Sequence, residues 1–351
     1  MGKKVSTFKI AATYIGTVIG AGFASGQEIL QFFGMFGGKG ILGLAIVTLF
    51  FIGYGYIVMD LGYRLQAPSY IEIIRLSGGK TFGIVADSII SFFLFSAVAA
   101  MIAAGGALVS QQFGIREIWG NLCIAIVTVV TVFAGIYGII NSLSLIVPCL
   151  LTLSIGVSVI YIKSFTGAGN PGAIPAGASV LMGNWLWSAI LYVSYNIVTA
   201  IAILGPLGKD AKDRKSIGYG ALLGGLGLGA CATAIYFAVT RDLNSLLNVE
   251  LPMVFIASRI SYTVQFAYAI ILLAGIYATA AGSLYGFSAR VFDLDGPKGK
   301  ILVVLVTVLA FAASQLGFSN LVKYMYPLEG YLGMILLVSL AYSRARKVPR
   351  E

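Results

Sequence analysis

Between Tyr14 and Glu28 the chain reads Tyr-Ile-Gly-Thr-Val-Ile-Gly-Ala-Gly-Phe-Ala-Ser-Gly-Gln-Glu, so Gly16, Gly20, Gly22 and Gly26 fall within eleven residues of a long apolar run. The groups able to do chemistry there are peptide groups. A glycine costs a helix interior about 1 kcal/mol relative to alanine, so four together favour local unwinding. Exposed backbone is intolerable in lipid, and an unwound stretch must therefore line a cavity inside the protein. Its freed amides would bind an anion and its freed carbonyls a cation. The competing reading is a glycine-packed helix crossing. The polar cluster Ser25, Gln27 and Glu28, directly after the glycines, argues against it.

A second interruption is expected in the apolar run from Trp187 to Thr199, where Ser194-Tyr195-Asn196 sits near the middle. Asparagine is a poor helix former and is expensive in lipid without a partner. The plainer alternative is that Asn196 bonds a neighbouring helix. Two carboxylates, Glu28 and Glu329 (in Tyr326-Pro327-Leu328-Glu329-Gly330), lie deep in apolar runs and are candidates for carrying a proton. Asp60 and Asp87 fall nearer the ends of their runs and fit interfacial pairs with Arg64 or Lys80.

Several chemistries are excluded by what the chain lacks. It has no histidine. That removes histidine triads, HExxH zinc sites and histidine proton relays. Cys123, Cys149 and Cys231 are scattered through apolar runs, with no metal-ligand spacing, and read as packing thiols. Gly20-Ala21-Gly22 is no dinucleotide fingerprint, because no strand precedes it. Neither an enzyme nor a cofactor is expected.

These groups need elements to hold them, and the composition says which. Charged residues are 10% of the 351, against roughly 25% in a soluble protein. Apolar residues are 59%, and mean hydropathy is +0.95. Such a surface has lipid as its solvent. A membrane core about 30 Å thick takes roughly 20 apolar residues per helix. Ten such segments are expected, at about 5–34, 39–63, 83–110, 119–138, 141–162, 184–206, 217–239, 262–289, 300–316 and 320–342. The runs are continuous, which excludes a β-barrel. The opening MGKKVSTFKI leads straight into the first run, without the pattern of a cleaved signal peptide.

With both termini on one side, that side carries 17 of the 23 lysines and arginines and the other carries 6. This bias places the termini in the cytoplasm. The net charge of +10 then reports orientation, and no nucleic-acid partner is implied. The two expected interruptions centre near residues 20 and 195, half the chain apart. Two halves of five spans, 1–163 and 184–351, each opening on an interrupted helix, form the layout of an inverted-repeat transporter. Paired glycines such as Gly220 with Gly224 and Gly225 with Gly229 read as close helix packing.

Gly20-Ala21-Gly22-Phe23 resembles the Gly-Ser-Gly-Ile signature in helix 1 of amino acid–polyamine–organocation permeases. The stretch from Val18 to Glu28, VIGAGFASGQE, resembles bacterial YkvI-type membrane proteins, a branch of that superfamily. The resemblance implies an all-α polytopic membrane protein of LeuT fold, with five plus five inverted repeats and helices 1 and 6 unwound around a midplane site. Val193-Ser194-Tyr195-Asn196 is more weakly similar to the helix 6 break, with Ser194 in place of a glycine and Asn196 in place of an acid. By that resemblance the amides of Gly20, Ala21 and Gly22 hold a substrate carboxylate. Carbonyls near Tyr192 and Val193 take its ammonium group, and Phe23 and Tyr195 wall the pocket.

The resemblance also implies a sodium site. Its helix 1 carbonyls map to Gly16 and Ile19, and its helix 8 ligands to Ile276 and Thr279. Ala280 stands where a second hydroxyl is expected, and Ser283 lies one turn beyond Thr279 on the same face. The coupling ion is thus expected to be sodium or a proton. The function expected is secondary active transport of an amino acid or small organic amine in the cell membrane. The alternative is a ligand-binding receptor on the same scaffold.

Overall fold

The computed structural model describes residues 4–67, 69–134, 137–165, 180–291 and 296–345. Those residues are helical throughout, apart from connecting turns and one isolated backbone bridge between Val5 and Ala211. The first apolar run forms three pieces, α1 (Thr7–Val18), α2 (Ala21–Ala24) and α3 (Gln27–Phe32). There follow α4 (Lys39–Leu65), α5 (Tyr70–Phe113), α6 (Glu117–Ala134) and α7 (Tyr137–Ser164). Beyond the next loop come α8 (Trp185–Lys209), α9 (Arg214–Arg241), α10 (Leu243–Leu246) and α11 (Pro252–Ile260). The chain continues through α12 (Tyr262–Val291), α13 (Pro297–Ser314) and α14 (Phe318–Ala345).

Eight of these helices are long and apolar enough to cross a membrane: α4, α6, α8, α9, the larger parts of α5, α7 and α12, and most of α14. The other two expected crossings fall on α1–α3, divided into pieces each too short to span, and on α13. α5 is longer than the expected segment because it starts at Tyr70 and turns at Gly79, whose φ is 71°. Its membrane-length portion is Thr81–Phe113. Outward faces carry Leu49, Ile126, Val130, Leu223, Ile270, Val308 and Val338, all exposed, as a lipid-facing belt requires.

α8 lies at the centre, packed by α4 and α14 and touched by α1, α3 and α5. In lipid no hydrophobic force drives helices together, so close approach of small residues does. A side chain at Gly62 would collide with the Gly205 carbonyl, and one at Gly208 with the Met59 carbonyl. α9 wedges between α1 and α4 in the same manner. Gly220 and Gly224 lie against Ile10 and Tyr14, and Gly225 and Gly229 against Ile52 and Thr48. The paired glycines therefore pack helices.

The expected interruption of the sixth span is not found. α8 runs unbroken through Ser194, Tyr195 and Asn196. The reason lies in how its polar side chains are satisfied. Ser194 donates from Oγ to the Gly330 carbonyl of α14 at 2.7 Å. Asn196 donates from Nδ2 to the Tyr192 carbonyl of its own helix at 2.9 Å, and Thr199 donates to the Asn196 carbonyl at 2.9 Å. With no glycine to favour unwinding, these bonds leave the helix intact.

At the face where α1 begins and α14 ends, Asp60 is wholly buried and meets three arginines. Arg64 approaches at 2.9 Å, Arg214 at 2.7 Å and Arg344 at 2.6 Å. Asp87 pairs with Arg290 at 3.4 Å and accepts a hydrogen bond from Tyr70 Oη at 2.6 Å. The expected partner Arg64 is present on Asp60; the Lys80 side chain lies outside the described residues.

Candidate functional site

The first span breaks at its middle. α1 stops at Val18, Ile19 (φ −76°, ψ 90°) and Gly20 (φ −96°, ψ −178°) are extended, and α2 starts at Ala21. Among the described residues the carbonyls of Gly16, Thr17 and Ile19 accept no main-chain bond, and the amides of Ala21, Gly22 and Phe23 donate none. The Gly20 amide, expected to be free, donates instead to the Val18 carbonyl at 2.9 Å. The free set is thus shifted by one residue. Ile19, at φ −76° and ψ 90°, closes an inverse γ-turn that points the Gly20 amide at the Val18 carbonyl, so the open amides start at Ala21.

A second bend follows. Ser25 Oγ donates to the Gly22 carbonyl at 2.6 Å and accepts the Gln27 amide at 3.1 Å. Gly26 takes φ 81°, a left-handed conformation that side chains resist. Carbonyls released around this bend find partners. Ala24 receives Tyr268 Oη at 2.6 Å, Ser25 receives the Met253 amide at 2.9 Å, and Phe32 receives Ser188 Oγ at 2.7 Å. At the break itself, among the described residues, the carbonyls of Gly16, Thr17 and Ile19 keep no main-chain partner.

α12 faces the break and packs on α2. A Cβ placed on Gly20 would lie 3.9 Å from Thr279 Oγ1, and one on Gly275 would lie 3.7 Å from the Ala21 Cβ. The threonines at 17, 48, 131, 152, 240 and 307 each bond the carbonyl four residues back, at 2.7–2.8 Å. Thr279 makes no such bond and, with Ser283 one turn on, has no hydrogen-bond partner among the described residues. Two uncommitted hydroxyls and three uncommitted carbonyls flank the break, oxygens of the kind a hard cation takes. Ile276 is buried on the same helix, and Ala280 offers no side-chain oxygen.

On the α3 side the site is acidic and aromatic. Glu28, in the first turn of α3, is buried and accepts a hydrogen bond from Tyr195 Oη of α8. Its Oε1 lies against Gly22, in the space a side chain there would take, with Tyr326 Oη beside it. Around Tyr195 the ring of Tyr326 lies at 5.2 Å, that of Tyr192 at 5.4 Å and that of Phe32 at 5.8 Å. Tyr192 Oη is buried without a hydrogen bond of good geometry among the described residues, as is Glu329 Oε1. Phe23 and Val193 are buried too. Ser194 is turned to α14 and Asn196 to its own helix turn. The carbonyls near Tyr192 and Val193, expected to receive an ammonium group, stay in an unbroken helix. What brings Tyr192 and Tyr195 to the site is their side chains.

Over this region lies the segment between α9 and α12. Besides the Met253–Ser25 bond, Glu250 accepts the Ser319 amide at 2.5 Å, and Gln27 Nε2 donates to Ser319 Oγ at 2.5 Å. Burial pushes the Glu250 carboxyl above the ordinary carboxylate range, and the Ser319 amide opposes that shift. Pro252 opens the short helix α11 of this segment. Tyr326, Phe32 and Tyr268 were not singled out as site residues. Tyr326 precedes Glu329 by three residues, the spacing that puts both on one helix face, and that was the signal available.

No family model matches the chain. The chain is similar to the membrane protein YkvI of Bacillus subtilis strain 168, at 28% identity over 348 residues, covering 99% of this chain and 98% of the relative. It is similar to YyaD of the same organism at 29% identity over 326 residues, 93% of each chain. Among solved structures it resembles MhsT in complex with L-phenylalanine, with TM-score 0.63 and 16% identity over 99% of this chain and 94% of that one. It also resembles inward-facing Mhp1, with TM-score 0.61 and 14% identity over 98% and 77%. For a manganese transporter of Eremococcus coleocola the values are 0.60 and 13%, over 94% and 77%. The chain has the LeuT fold.

Proposed function

We propose that this protein is a secondary transporter that carries a small nitrogen-bearing solute, an amino acid or organic amine, across the cell membrane by alternating access. The observation that carries the reading is the break in the first span. It exposes unpaired peptide groups at mid-span, between a set of hydroxyl oxygens on α12 and a buried acid with phenols on α3, α8 and α14. The two halves, 1–163 and 184–351, act as inverted repeats of five spans, ten in all, with both termini in the cytoplasm. The segment from Glu250 to Ile260 serves as the lid on one side. Transporters among the structures of like fold support the assignment as analogy.

Coupling is assigned to a cation. Sodium fits the carbonyls of Gly16 and Ile19 with the hydroxyls of Thr279 and Ser283, and the idle state of both hydroxyls favours this reading. Glu28 and Glu329 provide a proton route if sodium has no effect. Purified protein in liposomes, given labelled amino acids and amines under an imposed sodium or proton gradient, tests the proposal. Accumulation above equilibrium that collapses with the gradient is expected. Binding without accumulation under any gradient would instead identify a receptor.

A further inference from the structure

The described ion pairs all involve Asp60 or Asp87. Glu28 and Glu329, both buried, therefore have no lysine or arginine partner among the described residues. A carboxylate held in such a place either keeps a proton or waits for a positive charge that arrives from outside. The surroundings of Glu28 suit the second. Tyr195 donates a hydrogen bond to it. Tyr192 brings a buried hydroxyl, without a hydrogen bond of good geometry among the described residues, to the same side. The rings of Tyr192, Tyr195, Tyr326 and Phe32 crowd together around it. Aromatic faces beside an acid attract a cation through their quadrupoles as well as its charge.

The position of Glu28 also speaks against an anionic solute group. Its Oε1 rests on Gly22, in the middle of the open amides from Ala21 to Phe23. A solute carboxylate reaching for those amides would meet a like charge at contact range.

We infer that the solute is an organic cation without a carboxylate, and that Glu28 is its counter-charge, walled by Tyr192, Tyr195 and Tyr326. The inference rests on the reading of the helix break as the solute site and narrows it.

Matched triplets differing only in charged groups provide the test. Ethylamine, alanine and propionate form one. 3-Methylbutylamine, leucine and 4-methylpentanoate form the second, and phenethylamine, phenylalanine and 3-phenylpropionate the third. Each is titrated against the full-length purified protein while its melting temperature is followed. In at least one triplet the amine is expected to act at tenfold or more lower concentration than the amino acid, with no effect of the carboxylate. Glu28→Gln should raise the amine concentration needed at least tenfold, and Glu28→Asp should recover part of it. Tyr195→Phe, which removes only the hydroxyl on Glu28, should weaken the amine several-fold and decides the matter if Glu28→Gln does not fold. Three results overturn the inference: no amine acts, an amino acid or carboxylate acts as well as its amine, or the substitutions leave the amine unaffected. Amine binding without uptake in liposomes leaves the inference standing and removes the transport reading. Uptake of a carboxylate does the reverse.

Discussion

Asp60 on α4 and Arg344 on α14 meet at 2.6 Å, joining the end of an early helix to the end of the last. Arg64 and Arg214 reach the same carboxylate, so α4, α9 and α14 are tied at one face through a single acid. Asp60→Asn leaves three guanidinium groups around a neutral side chain. The expected loss is about 3 kcal/mol, the range for removing one member of a buried charge cluster. Arg64→Ala leaves two partners and removes a partly exposed arm, so less than about 1 kcal/mol is expected. Melting temperatures of the purified variants check both; equal losses would mean that Asp60 has no sharing role.

Gly26 has a left-handed backbone, and a Cβ there would lie 2.8 Å from Met253 Cγ. Gly26→Ala should cost about 1–2 kcal/mol from the backbone alone, with further loss from displacing Met253. The variant should melt earlier and be cut faster by protease within residues 247–261. Wild-type melting and cleavage would show that neither the bend nor the lid contact is constrained.

Thr279→Val keeps the shape of the side chain and removes an oxygen that bonds nothing among the described residues. The fold should be as stable as wild type in choline chloride. In sodium chloride the wild type should gain stability by mass action and the variant should not. A sodium-induced rise of equal size in both would place the cation elsewhere.

Glu250 gives a pH dependence with a definite sign. Its folded pKa is raised by burial, so the folded state binds more protons than the unfolded chain between the two values. The associated stability is complete below the ordinary glutamate range and declines as pH rises through the raised folded value. Glu250→Gln should flatten that slope and retain an acceptor for the Ser319 amide. Melting curves from pH 4 to 8 measure it; a wild type that gains stability across this interval would contradict the assignment.

The first break was legible because four glycines concentrate in a run that lipid would otherwise keep helical. Its chemistry was only partly legible. Which amide is free depends on the ψ of Ile19, a single torsion that residue types do not report. The sixth span was misread because Ser194 and Asn196 look alike whether they open a helix or serve one. Only the position of Gly330 on α14 and of the Tyr192 carbonyl shows that both are already satisfied. The meeting of Glu28 with Tyr195, separated by 167 residues, depends on how α3 stands against α8. Asp60 was recognised as an interfacial acid, but its partners Arg214 and Arg344 come from helices whose neighbourhood no local pattern encodes.

The intact α8 has an evolutionary corollary. Peptide groups are the same in every residue, so a recognition surface made of them changes only when the backbone path changes. Tyr192 and Tyr195 confront the break with phenols, and those are exchanged by single codon substitutions that leave the helix in place. Under the proposed reading, chains of this fold can therefore diverge in what they recognise by altering a few positions on α8 and α14, with no change to the glycine-rich crossing.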